Sequence, residues 1–341
     1  MPTYLHSMPA YHIDFFSRMS ATWIIQDMII YVLSIAVLFF IMKRDPENAP
    51  YRFMEIVLMV GLFGGIYENY AVEPAHFYSF GTSLIMLGNV PLSVPLVEAV
   101  MVVCALYIMD HMEISAWCKP FVVGFLVIVQ DFSLDPLSVS QVAETSAGVS
   151  GRWQWLIVQP GDASLFGEPV FNFTGWMLIG AYSTIGLLLG RWWFERSGRK
   201  PWVGVLYPVA GITGAVVLML LFPWASQFLL WAAPFYEQGS SAEWVMLAVN
   251  LLVPVGMLLF AWRGRMKKAI VPSETWLFFG YFLLLHVSDV VFMVIGQHWN
   301  TAGVVLGSFA VHLVVFGTIY AKGRQFAGQF AGGNAAALRT A

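Results

Sequence analysis

The sequence predicts an all-α fold, a polytopic transmembrane helical bundle of about nine spans, with eight as the alternative count. Three observations carry that prediction. The 341-residue chain is 59% hydrophobic and only 11% charged, whereas an ordinary soluble domain carries roughly a quarter charged residues. Its apolar residues fall in non-alternating runs of about 20, the length of a helix crossing hydrocarbon. Its cations lie almost entirely on one side of those runs. A globule of this length lacks the charges to cover its own surface, so lipid must solvate much of it. In lipid only helices or a closed barrel satisfy the backbone.

Taken in order, the apolar segments fall at about 22–42, 53–72, 83–109, 120–138, 171–193, 202–222, 243–262, 275–295 and 301–321. The third is long and holds Pro91 and Pro95, which predicts a kinked helix or a short re-entrant piece followed by a span. With the N-terminus outside, the odd-numbered loops are cytoplasmic. They and the C-terminal tail then carry 15 of the 17 Lys and Arg residues, and only Arg18 and Arg152 lie outside. Nine spans, N-terminus outside and C-terminus cytoplasmic, satisfy this bias. Residues 1–330 read as one transmembrane domain and 331–341 as a flexible tail, because the chain past Gly323 is small and polar. The first 20 residues include His6, His12, Asp14 and Arg18 without a clean apolar stretch, so no cleavable signal peptide is expected.

Other classes are disfavoured. A net charge of −3 gives no basic surface for nucleic acid. Cys104 and Cys118 form no metal or redox motif. The histidines and carboxylates lack a compact metal-ligand spacing, so neither a metal nor another cofactor is expected. The outer connections 139–170 and 223–242 are aromatic-rich, and Trp153, Trp155, Trp224, Trp231, Trp244 and Trp299 fit an outer aromatic belt.

Charged groups in hydrocarbon are costly and mark functional sites. The candidates are Asp27, Glu68, Glu98, Asp131, Asp135 and Asp289, joined by Asn69, Asn172, Asn250, His286 and His312. The topology places most of them at one level, the outer half of the bilayer, with Glu98 and His312 deeper. A single polar pocket under the outer loops explains that clustering. Asp131 and Asp135 are i and i+4 and share a helix face. Two carboxyls so placed do not both ionise readily, so one can serve as an acid and the other can orient water. Pro136 is expected to end or bend that helix. His286 and Asp289, at i and i+3, can pair. Asp27, alone near a helix end, reads as structural, and His312 as a packing residue.

The stretch from Asp131 to Trp176 reads DFSLDPLSVS…GRWQWLIV…LFGEPVFNFTGW. It resembles the carotenoid biosynthesis membrane protein family, which includes bacterial γ-carotene hydratases and archaeal bisanhydrobacterioruberin hydratases. The matching positions are Asp131, Asp135 and Pro136, then Trp153 and Trp155, then Gly167, Pro169, Asn172, Phe173, Gly175 and Trp176. Upstream, Glu68, the FYSFG run from Phe77 through Tyr78 to Gly81, and VPLSVPL at Val90–Leu96 also look similar. The region Asn69–His76 departs from the family pattern, and Glu98 stands close to where an aromatic residue is usual. The resemblance implies hydration of a terminal isoprenoid double bond without a cofactor, in a prokaryotic cytoplasmic membrane. It implies Asp131, Asp135 and Glu68 as catalytic carboxyls. Asn172, Trp153, Trp155, Phe171, Phe173, Trp176, Tyr78, Asn69, Asp289 and His286 are then the expected substrate contacts. The expected partners are an apolar isoprenoid or carotenoid, water and membrane lipid. An isoprenoid cyclase or isomerase, a dehydratase running the reaction backwards, and a lipid transporter are the rival readings.

Overall fold

The structure, a computed structural model, describes residues 20–145, 148–226, 239–270 and 272–337. His6, His12, Asp14, Arg18, Trp231 and Arg339 lie outside the described residues. Among those described, nine helices form the bundle. They are α1 (Ala21–Arg44), α2 (Ala49–Val72), α3 (Ser93–Met109), α4 (Lys119–Ser140), α5 (Val170–Arg196), α6 (Pro201–Ser226), α7 (Ala242–Trp262), α8 (Pro272–Ile295) and α9 (Ala302–Ala337). All but α3 are long and apolar enough to cross a membrane. Side chains such as Ile35, Phe39, Leu252, Phe260 and Val314 are more than 60% exposed, which suits a lipid-facing surface and no aqueous one.

The short helix is the centre of the bundle. Fourteen of the seventeen residues of α3 are buried, and it touches α1, α2, α4, α5 and α8. An α-helix that is apolar on every face belongs inside a bundle. At about 26 Å it falls short of the hydrocarbon thickness. The missing length is supplied by the hairpin of β2 (Met86–Leu87) and β3 (Val90–Pro91) that precedes it. Residues 83–109 are therefore not one kinked helix but a short non-helical piece followed by a helix, the second of the two arrangements expected. Pro91 stays in the hairpin, and Pro95 falls in the first turn, where its missing N–H costs nothing. Pro136 does not end α4, which continues to Ser140. The Ser138 and Ser140 hydroxyls bond the carbonyls of Leu134 (2.8 Å) and Leu137 (2.7 Å) in that last turn. The last helix runs to Ala337, past the start of the expected tail at 331. Ala335, Ala336 and Ala337 are strong helix formers.

The loops sort into two layers as the charge alternation requires. At one end, Glu113 N–H donates to Arg265 C=O (3.0 Å) and Lys267 N–H to His111 C=O (2.8 Å), joining the loop after α3 to the basic loop after α7. At the other end, β1 (Tyr78–Phe80) pairs antiparallel with β6 (Trp153–Trp155), joining the two outer connections. The second outer connection also carries the hairpin β4 (Val142–Thr145) with β5 (Gly148–Gly151), and β7 (Ser164–Leu165) with β8 (Glu168–Pro169).

Close helix approach in lipid depends on small residues. A side chain at Gly186 on α5 would lie 2.3 Å from the Gly211 carbonyl on α6, and one at Gly211 would lie 2.7 Å from the Gly186 carbonyl. Both obstacles are backbone. Gly186→Leu is expected to force α5 and α6 apart and to cost about 1–3 kcal/mol. Thermal unfolding in detergent, with Gly214→Leu as the control at an open position, reads that loss.

Candidate functional site

The site is built where α1 to α5 meet the outer loops. Strand register makes its roof. In β1–β6, Tyr78 lies opposite Trp155 and Phe80 opposite Trp153. Side chains alternate along a strand, so these four aromatics share one face and Ser79 and Gln154 take the other. The rings pack with centroids 4.7 Å apart for Tyr78–Trp155, 5.6 Å for Tyr78–Trp153 and 5.5 Å for Phe80–Trp153. Phe171 meets Trp155 edge-on at 5.7 Å. Trp153 and Trp155 thus line the interior and do not join a surface belt, whereas Trp244 and Trp299 are exposed.

Below this roof is a cavity of about 110 Å³. One water needs roughly 10–15 Å³ on this measure, so the cavity holds several waters or one end of an apolar chain. Carboxyls reach it from four helices, as Asp27, Glu68, Glu98 and Asp135. Helix periodicity brings Asn172, Gly175, Trp176 and Ile179 of α5 to the same wall. Residues Val60–Glu68 of α2 are π-helical, and Glu68 ends that stretch. Such bulges are frequent at functional sites.

Hydrogen bonds distinguish the carboxyls. Asp135 Oδ2 accepts from Asn172 Nδ2 (3.0 Å) and Trp176 Nε1 (2.9 Å). Glu68 accepts the Tyr78 hydroxyl. Burial, and then the Glu68 charge, hold the Tyr78 phenol well above its usual range, so it remains a donor. Glu98 is 2% exposed, and its Oε2 has no hydrogen-bond partner among the described residues. The indole N–H groups of Trp153 and Trp155 are likewise buried without partners.

Behind Asp135 lie two more carboxyls. Asp131, Asp135 and Glu168 each present an oxygen within 4.8 Å of the other two. Asn172 Nδ2 also donates to Glu168 Oε1 (2.5 Å). Both Asp131 oxygens and Glu168 Oε2 lack protein donors among the described residues. Burial, and then the Asp135 charge, push the Glu168 carboxyl well above the usual carboxylate range. Three such groups share protons or a cation, since like charges this close do not all persist in low dielectric. Among the described residues, this trio alone has the spacing to hold a metal ion.

At the outer rim, Arg152 donates to Gln26, to Gln141 Oε1 (3.1 Å) and to Asp27 Oδ1 (3.4 Å). Ser83 donates to the other Asp27 oxygen. Burial holds the Arg152 guanidinium below its usual range, and the Asp27 carboxylate opposes this. One of the two outer cations thus ties the roof to α1 and α4.

The expected site residues divide. Glu68, Tyr78, Asp135, Trp153, Trp155, Phe171, Asn172 and Trp176 line the cavity. Asp131 lies behind Asp135. Phe173 turns away and stacks on Phe132 at 4.4 Å. Asn69 holds the β2–β3 hairpin, donating to Gly64 C=O (2.7 Å) and Leu87 C=O (2.8 Å) and accepting from Asn89 N–H (2.7 Å). Asp289 and His286 do not pair directly. Both meet Ser133 Oγ, at 2.6 and 2.9 Å, on another side of α4. His286 Nε2 then meets His312 Nδ1 at 2.8 Å. The cavity residues that the expected site omitted include Glu98, Asp27, Ser83 and Arg152. Glu98 and Asp27 were visible as intramembrane carboxyls. Arg152 was visible as an isolated outer cation.

A family model described as "Carotenoid biosynthesis protein" matches residues 27–234, which hold every cavity residue named above. No curated protein and no solved structure matches the chain. The match covers more than half of the sequence, from α1 past the end of α6, and the chain belongs to the carotenoid biosynthesis protein family.

Proposed function

We propose that the protein is a hydratase that adds water across a terminal double bond of a carotenoid or related isoprenoid. The supporting observation is the mixed lining of one small buried cavity. Its aromatic faces suit an alkene end and a developing carbocation. Its carboxyls suit acid and base roles. Its unpartnered polar atoms, Trp153 Nε1, Trp155 Nε1 and Glu98 Oε2, need an oxygen ligand. A pure hydrocarbon would leave all three unsatisfied, at about 1–3 kcal/mol each. Water, or the alcohol it forms, can accept from an indole and donate to a carboxylate. This favours water capture over cyclisation in the same pocket.

In this reading one end of the isoprenoid enters beneath the β1–β6 roof, and the remainder stays among lipid. A cavity carboxylic acid protonates the less substituted alkene carbon and leaves a tertiary cation. A carboxylate directs water to that cation. Asp135, held by Asn172 and Trp176, is the water-orienting group. Asp131 and Glu168 behind it hold further protons. The enzyme works in a prokaryotic cytoplasmic membrane with this pocket toward the outer face.

Purified protein incubated with acyclic-ended carotenoids in ¹⁸O-water should yield a product heavier by one labelled water. An isomerised or cyclised product with no label would sink the hydratase reading in favour of the cyclase. Unchanged solute carried across proteoliposomes would favour transport.

A further inference from the structure

Glu98 is the only charged residue of α3, the helix enclosed by five neighbours. A carboxyl in such a place is costly to bury unless it is bonded or used. It lines the cavity, and its Oε2 is buried without a partner among the described residues. We propose that Glu98 is the catalytic acid, carrying the proton that the alkene receives, while Asp135 on the adjacent helix α4 remains the carboxylate that takes a proton from water.

Three features separate the two roles. Asp135 Oδ2 accepts two N–H bonds, which support a carboxylate. Glu68 accepts the Tyr78 hydroxyl and is supported in the same way. Nothing comparable serves Glu98 Oε2 among the described residues, and several carboxyls sharing one buried cavity do not all ionise. The proton therefore resides on the carboxyl with the least support. The second feature is placement, because Glu98 and Asp135 project from different helices into one space. No single carboxyl must then both give and take a proton in one turnover. The third is accessibility, since Asp131, the other candidate donor, does not line the cavity.

The step balances. The O–H bond of Glu98 breaks, and the alkene π pair forms a C–H bond with that proton at the less substituted carbon. A water lone pair forms the C–O bond at the tertiary cation. Asp135 takes one proton from that water. The products are the tertiary alcohol, a Glu98 carboxylate and a protonated Asp135. One proton passed from Asp135 to Glu98 through cavity water restores the resting state. No oxidant or reductant is consumed.

The assignment rests on the hydratase reading and deepens it. Its test compares wild type, Glu98→Gln and Glu98→Asp, purified in detergent and shown to melt together. Glu98→Gln should lower kcat by about 10²–10⁴-fold, while carotenoid binding, read from the polyene absorption, changes little. Glu98→Asp should recover part of the rate. The infrared difference spectrum of wild type minus Glu98→Gln should show a lost protonated-carboxyl C=O band, a readout independent of turnover. Wild-type activity with a Glu98→Gln variant of near-normal kcat, or an unchanged carboxyl band, overturns the assignment alone. A wild type that adds no water to any carotenoid supplied overturns the hydratase reading beneath it.

Discussion

If the protein is the proposed hydratase, Asp135→Asn should abolish hydration and leave the bundle folded. The substitution keeps the side chain's shape, and the new amide oxygen can still accept from Asn172 and Trp176 in place of Asp135 Oδ2. It removes the negative charge and the proton-accepting capacity. Packing is conserved, so the melting temperature in detergent should stay within a few degrees. Hydrated product, measured by mass in single-turnover reactions, should fall by about 10²–10⁴-fold. Asp131→Asn is the comparison. Its carboxyl lies one turn deeper and does not line the cavity, so its effect should be smaller. Full activity in a folded Asp135→Asn protein would remove Asp135 from the chemistry. Equal loss in both variants would mean that the buried trio acts as one unit.

These two aspartates also show what the sequence made legible. Depth in the membrane is readable, because it follows from counting residues along a helix whose direction the cations fix. Glu68, Asp135 and Asn172 were placed at one level in this way, and the cavity lies at that level. Angle around the bundle is much harder to read, because it depends on which neighbour each face meets. Asp131 and Asp135 share a face, yet Asp131 sits a turn lower, behind Asp135. Asn172, Gly175, Trp176 and Ile179 follow the helical period toward the cavity, while Phe173, adjacent to Asn172, points to Phe132. His286 and Asp289 have the right depth but meet the Gln130–Ser133 side of α4. Asn69 follows Glu68 directly and is rotated about 100° from it, so it reaches the hairpin.

Two further features were hidden for a different reason. The roof depends on pairing between residues 78–80 and 153–155, far apart in sequence and bounded by no hairpin signal that joins them. The aromatic stripe is visible in each strand, but their partnership is not. Glu98 sits in a helix without amphipathic pattern, so its surroundings gave no direction. Only the enclosure of α3 on all sides makes its carboxyl part of the cavity.

The second large effect is on stability and lies at the opposite end of the bundle. Arg52 and Arg191 contributed to the inside-positive count, yet neither is a freely solvated loop cation. Glu55 on α2 is fully buried. Its Oε1 accepts from Arg52 Nη1 (2.8 Å), Arg191 Nε (2.9 Å) and Tyr207 Oη (2.6 Å), and its Oε2 from Arg191 Nη2 (2.6 Å). One carboxylate thereby joins α2, α5 and α6. Glu55→Ala would leave two partly buried guanidinium groups and a buried phenol without their shared acceptor. Breaking such a pair by removing one partner costs about 3–5 kcal/mol, which should appear as a large drop in melting temperature in detergent. Glu195 is the control, because its Arg199 contact at 2.9 Å is about half exposed on both sides. Solvent screens that pair, so Glu195→Ala should leave the melting curve in place. A Glu55→Ala melting curve as little shifted as that of Glu195→Ala would show that the buried Glu55 cluster adds no more stability than an exposed pair. A loss confined to Glu55→Ala would mean that Arg52 and Arg191, through one shared carboxylate, clamp three helices together.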